Sequence, residues 1–87
     1  MKIEFSSPYR KSFKKLISKN PDIVFEVFNK LLVLNTDINH PSLKLHKLKS
    51  ELRSYHAISI EYDLRIIMEI KTDSVVLINI GKHDDVY

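Results

Sequence analysis

The sequence predicts an α+β domain with elements in the order β-α-α-β-β-β, a helical hairpin packed on one face of a mainly antiparallel, curved sheet. Three observations predict it. Alternating apolar and polar residues mark short strands at both ends of the chain. Between them, two segments repeat apolar residues at helical spacing, each opened by a proline. The sole glycine, Gly81, sits where the last strand is expected to stop.

Residues 2–6 read as a short strand with Ile3 and Phe5 on one side. Ser7-Pro8 supplies an expected N-cap followed by a proline in the first helical turn. Tyr9, Phe13, Leu16 and Ile17 then recur at helical spacing, with lysines on the other side. Asn20-Pro21 stops this helix and starts a second. Val24, Val27, Phe28, Leu31 and Leu34 form its stripe, and Phe25, Leu32 and Val33 make it apolar enough to expect thorough burial. Periodicity fades near Asn35-Thr36-Asp37, and residues 39–49 read as a loop with interleaved Leu and Lys.

Three strands are expected to follow. Tyr55–Glu61 places Ile58 and Ile60 on one face and Ala57, Ser59 and Glu61 on the other. Tyr62-Asp63 makes a turn. Leu64, Ile66, Met68 and Ile70 face the core, with Arg65, Ile67 and Glu69 facing away. Thr72-Asp73 closes a second hairpin into Val75–Ile80. The helices can cover only one sheet face, so Ser59, Glu61 and Arg65 are expected on the other, where ionisable groups keep contact with water.

A chain of 87 residues, 44% hydrophobic and 29% charged, suits one small globular domain, residues 1–87. It has no cysteine, which excludes disulfides and thiolate–metal sites. No apolar run approaches the roughly 20 residues that span a bilayer. The first residues lack the apolar core of a signal peptide. A cytoplasmic protein with no membrane partner is expected.

The net charge of +3 hides an asymmetry: ten Lys/Arg against four Asp/Glu in residues 1–50, and four against seven in residues 51–87. One basic cluster is Arg10, Lys11, Lys14, Lys15 and Lys19, which reads equally as a solvated helix face. The other, Lys44, Lys47, Lys49 and Arg53, lies in the loop leading into the strands and is the better candidate for phosphate contacts.

The candidate chemistry gathers behind the last strand, in Gly81-Lys82-His83-Asp84-Asp85-Val86-Tyr87. A core strand is a rigid support for such polar and aromatic groups. His40, before Pro41, reads as loop structure, and His56 is in phase with the core-facing Ile58 and Ile60. The histidines lack metal-ligand spacing, and one glycine cannot make a phosphate-cradling loop. No metal and no small-molecule cofactor are expected.

The element order and the segments Leu45-His46-Lys47-Leu48-Lys49, Asp63-Leu64-Arg65-Ile66-Ile67 and Gly81–Tyr87 resemble the RelE/ParE superfamily of bacterial toxins from type II toxin–antitoxin operons. The similarity covers almost the whole chain. Each motif is weak alone, and the set in this order is specific. Within the superfamily the chain is most similar to the YafQ/RelE-type messenger-RNA interferases, which cut translated mRNA in the ribosomal A site and are held inactive by an antitoxin. The resemblance therefore implies an endoribonuclease whose partners are an antitoxin and mRNA on the ribosome.

It also implies roles. His46 matches a histidine of the YafQ-type loop, and Asp63 the acid at the turn between strands. Arg65 matches the phosphate-binding arginine of RelE-type members. His83 stands where the family places a histidine or arginine, and Tyr87 matches its terminal aromatic. Attack of a 2′-OH on the adjacent phosphate needs a base, positive charge on the phosphorane and an acid for the 5′-oxygen. His83 is assigned as the acid, Arg65 as the phosphate clamp and Asp63 or His46 as the base. Tyr87 suits stacking on an unpaired base.

Each position also has a plain structural reading. His83 beside Asp84-Asp85 resembles a solvated tail, Asp63 a turn former, and Arg65 an ion-pair partner of Glu61 or Glu69. One departure stands out: Ser59 occupies a position where YafQ-type members carry a further histidine. Weakened or absent catalysis, in a homologue that only binds its antitoxin, is one alternative expectation. A ParE-like toxin that binds DNA gyrase is another, opposed by the histidine and tyrosine of the last segment.

Overall fold

Ser6 ends the first strand and opens the first helix with the same side chain. Its backbone is still extended (φ −72°, ψ 161°), and its N–H donates to the Leu77 carbonyl at 3.1 Å. Its hydroxyl accepts from the Tyr9 N–H and donates to the Ile78 carbonyl, both at 3.1 Å. The N-cap is therefore Ser6 and not the expected Ser7, which is already helical. Tying Ser6 to the last strand leaves it extended, the conformation a cap requires.

The computed structural model describes residues 1–49 and 55–82. In chain order it contains β1 (Lys2–Phe5), α1 (Ser7–Lys19), α2 (Ile23–Thr36), a 3-10 turn (Pro41–Leu43), β2 (His46–Lys47), β3 (Tyr55–Glu61), β4 (Leu64–Ile70) and β5 (Ser74–Lys82). The five strands form one sheet in the order β1-β5-β4-β3-β2. β1 runs parallel to β5, with Lys2 opposite Ser74 and Phe5 opposite Leu77; the other pairs are antiparallel. β2 falls in the segment expected as loop. Two residues show no periodicity, and only pairing of His46 with Ala57 and of Lys47 with His56 makes them a strand. No helix among the described residues is long and apolar enough to cross a membrane.

The helices cover one face of this sheet. Between them lie Leu34, Ile58, Ile66, Met68, Val75 and Leu77, all essentially inaccessible, closed at one side by Leu43 of the 3-10 turn. Each such side chain contributes about 1.5–3 kcal/mol by leaving water. On the opposite face Ala57 and Ile67 are buried too. There Ile67 is flanked along its strand by the longer, half-buried Arg65 and Glu69.

Two expectations need correction. The last strand does not stop at Gly81: β5 continues to Lys82, with Gly81 opposite Arg65 and Lys82 opposite Leu64. Gly81 has no positive φ, so it is an ordinary strand residue that leaves the space beside Arg65 without a side chain. The β4–β5 pairing contains a bulge. Ile67 faces Asn79 while Met68 faces Leu77, and the extra residue shifts the buried positions from Val75 and Leu77 to Ile80.

The second correction concerns α2. Val27 and Leu34 are buried as expected, and Ile23 is buried with them, but Phe25 is 67%, Phe28 61%, Leu32 52% and Val24 36% exposed. A helix lying on a sheet buries about one stripe, and the apolar surface of α2 is wider than that.

Tyr9 anchors α1, stacked on Phe13 at 5.8 Å between ring centroids and tilted against Phe5 at 5.7 Å. Burial pushes its phenol up to about 12 from the ordinary 10. Below pH 10 the group is neutral in both folded and unfolded chains. Above it the unfolded phenol ionises first, so stability is lost as pH rises from 10 towards 12. Urea unfolding across that window should show this loss, and Tyr9→Phe should flatten it.

Candidate functional site

Arg65 lies on the open face of β4, between Ser59 of β3 and Gly81 of β5. Directly opposed residues in antiparallel pairs have Cα atoms about 4.5–5.5 Å apart, so these three form one short row. The guanidinium is folded back over the β3–β4 turn. Its Nη1 donates to the carbonyls of Glu61 and Tyr62 at 3.3 Å and of Leu64 at 3.4 Å. Its partners are thus backbone carbonyls, not the carboxylates of Glu61 or Glu69. Long bonds to neutral acceptors are weak compared with charge-assisted ones, and an anion arriving at this face would compete well for the same donors.

Asp63 stands in that turn, exposed. Its neighbour Tyr62 is almost wholly in solvent, at 97% exposure. Turn residue and arginine thus belong to one hairpin, whose two-residue connection fixes their separation.

His46 reaches the same face from the sheet edge. It is opposite Ala57, which is opposite Ile67. Two strand spacings and two residues along the strand put its Cα about 12 Å from that of Arg65. The ring is held by the preceding turn. Leu43 is buried, Lys44 turns the chain in the left-handed region (φ 50°, ψ 46°), and the Lys44 carbonyl lies 3.0 Å from His46 Nδ1. A carbonyl only accepts, so Nδ1 carries the proton and a neutral ring has its lone pair on Nε2. His40 serves the turn itself: its Nδ1 accepts from the Ser42 N–H at 3.1 Å. His56 pairs with Met68 and is half-buried, as its phase suggested.

The basic loop group is distributed along this edge. Lys44 is in the turn, Lys47 is exposed on β2, and Lys49 follows it, also exposed. Arg53, His83 and Tyr87 lie outside the described residues. Of the five proposed catalytic positions, the structure places His46 and Arg65 on the open face of the sheet and Asp63 in the turn that precedes Arg65. Among the described residues no three histidines or carboxylates come together as metal ligands.

Lys44 is the only described residue other than glycine with positive φ. A side chain there costs on the order of 1 kcal/mol relative to glycine. Lys44→Gly should therefore leave stability unchanged or raise it by up to about 1 kcal/mol in urea unfolding, while nitrogen NMR still finds the His46 proton on Nδ1.

Comparison with known proteins places this geometry. A family model described as "Bacterial toxin of type II toxin-antitoxin system, YafQ" matches residues 1–87. A search of curated protein sequences finds no match. Among solved structures, a metal-bound toxin from Helicobacter pylori is 23% identical, with a TM-score of 0.77 over 100% of this chain and 99% of that one. YafQ in the Escherichia coli DinJ–YafQ complex is 24% identical, with a TM-score of 0.74 over 98% of this chain and 96% of that one. A YoeB/ParE toxin from Agrobacterium tumefaciens shares 13% identity at a TM-score of 0.79, over 95% and 99%. These structural likenesses concern the fold, and the family rests on the match along the whole sequence. The chain belongs to the YafQ family of bacterial toxins of type II toxin–antitoxin systems.

Proposed function

We propose that this chain is a ribosome-dependent mRNA endonuclease that cleaves by attack of a 2′-OH on the adjacent phosphate. The observation that carries it is Arg65, mounted on the open sheet face with only weak carbonyl partners and beside the bare backbone of Gly81. In the reaction a bond forms between the 2′-oxygen and phosphorus, and the bond to the 5′-oxygen breaks. The products are a cyclic phosphate and a 5′-hydroxyl. Arg65 exchanges its carbonyls for the non-bridging oxygens, whose charge grows in the transition state. His46 through Nε2, or Asp63, takes the 2′-OH proton. His83 supplies a proton to the leaving oxygen, and Tyr87 stacks on a base. Lys44, Lys47, Lys49 and Arg53 hold the flanking strand.

Growth and transcript integrity after inducing the chain alone test this reading. Arrest with cleaved mRNA is expected. His83→Ala should slow cleavage by about 10²–10⁴-fold, the range for losing a proton-transfer group. Arg65→Ala should slow it by about 10²–10³-fold. Arrest with intact transcripts would point instead to a protein target such as gyrase. Soluble protein without arrest would indicate an antitoxin-binding homologue in which Ser59 has replaced a needed histidine.

The antitoxin partner is proposed to seat on the apolar side of the helical hairpin. Phe25, Phe28 and Leu32 are exposed there, beside a groove of about 450 Å³ between α1 and α2 whose lining includes Phe5, Phe13 and Leu31. Arg10, held over the Phe5 ring at 5.5 Å and donating to the Phe5 carbonyl, makes one rim basic. An apolar-faced helix with acidic flanks complements this surface. Phe28→Asp, at an exposed position, should leave folding intact and weaken capture of the cognate antitoxin at least about tenfold by calorimetry, a loss of about 1.4 kcal/mol or more.

A further inference from the structure

We propose that a second phosphate of the RNA strand binds in the cleft between α1 and the unpaired edge of β5. This deepens the nuclease reading and rests on it. β1 ends at Phe5, opposite Leu77, so from Ile78 to Lys82 β5 has β4 on one side and, among the described residues, no strand on the other. The Ile80 N–H is taken by the side-chain oxygen of Asn79 at 2.9 Å, as expected of an edge without a strand partner. A cavity of about 480 Å³ opens along this edge, lined by Ser12, Lys15, Lys19, Asn79, Gly81 and Lys82 among others.

Three lysines from two elements converge on the cleft, and among the described residues no carboxylate lines it. Lys15 and Lys19 are one helical turn apart, where like charges repel. Lys19 has a local reason for its place, the negative C-terminal end of α1. Lys15 and Lys82 have none, and among the described residues no acid pairs with either. Asn79, with its oxygen committed to Ile80, keeps its amide NH₂ as a donor, and Ser12 adds a hydroxyl. Ammonium groups acting as point charges, with neutral donors beside them, suit the oxygens of a phosphodiester.

Gly81 joins the two phosphate positions. It lines the cleft and stands directly opposite Arg65, with about 5 Å between their Cα atoms. A strand held by Arg65 on the open face passes the end of β5, where glycine presents no side chain, and its next phosphates reach the lysines.

Binding of a short fluorescein-labelled 2′-O-methyl RNA, which cannot be cleaved, tests this by anisotropy across a salt series. Lys15→Gln/Lys19→Gln should weaken binding about five- to tenfold. It should also flatten the dependence of log K on log salt by about 1.4, or 0.7 for each lost contact with a single strand. Lys11→Gln/Lys14→Gln removes the same charge from the same helix outside the cleft and should change the slope by less than half as much. Melting followed by circular dichroism verifies that both variants fold. Equal losses in the two double variants, or unchanged binding in the first, would overturn the cleft while Arg65→Ala still abolished cleavage. Failure of the unmutated protein to bind RNA would overturn the cleft, whereas intact transcripts after induction would overturn the nuclease reading.

Discussion

The fold depends on the junction where the start of the chain closes onto its end. Ser6 and Ile78 are 72 residues apart in sequence, yet one hydroxyl bonds to both the strand carbonyl and the first turn of α1. Four residues of β1 lie parallel to β5 beside it. Closing so long a loop carries an entropy cost that grows only logarithmically with length, and the buried faces of both helices offset it. The junction also sets direction. Because α1 leaves from the cap at Ser6, the helical hairpin falls on one face of the sheet and the other face stays open.

That asymmetry separates the two kinds of surface a toxin of this family needs. On the open face the donors of Arg65 rest on turn carbonyls, a low-energy parking place that an anion can displace. On the helical side the apolar stripe of α2 is wider than the sheet beneath it, so Phe25, Phe28 and Leu32 project into water. Exposed aromatic surface of this kind is a marker of protein–protein contact. RNA chemistry and antitoxin capture are thus proposed on opposite sides of one small molecule.

The short first strand has a further result. Had β1 been longer, it would have covered the second half of β5 and filled the cleft beside Lys15, Lys19 and Lys82. Instead Ser6 turns the chain into α1, and the side chain of Asn79 takes the Ile80 N–H on that edge. Basic residues that look like one solvated helix face in sequence are divided by the fold. Arg10 borders the apolar groove, and Lys15 and Lys19 border the cleft.

The sequence by itself determined the element types and most of their limits, because apolar spacing is a local property with distinct periods for helix and strand. Tyr55–Glu61 and Leu64–Ile70 fall where alternation put them, with Ser59 and Arg65 on the outward face. The residue types suited to cutting RNA were legible as well, since imidazole, guanidinium and carboxylate chemistry belongs to the side chain wherever it sits. Tertiary structure alone decided the rest. The two-residue strand holding His46 exists only by pairing with β3, and the cap moved to Ser6 because β5 holds its backbone. The burial expected for Phe25, Phe28 and Leu32 failed because apolar character tells a helix what it can bury, not how much surface its neighbours provide. The continuation of β5 through Gly81, which places Arg65 beside bare backbone, likewise came from the register with β4, a contact between residues 16 apart that no local pattern encodes.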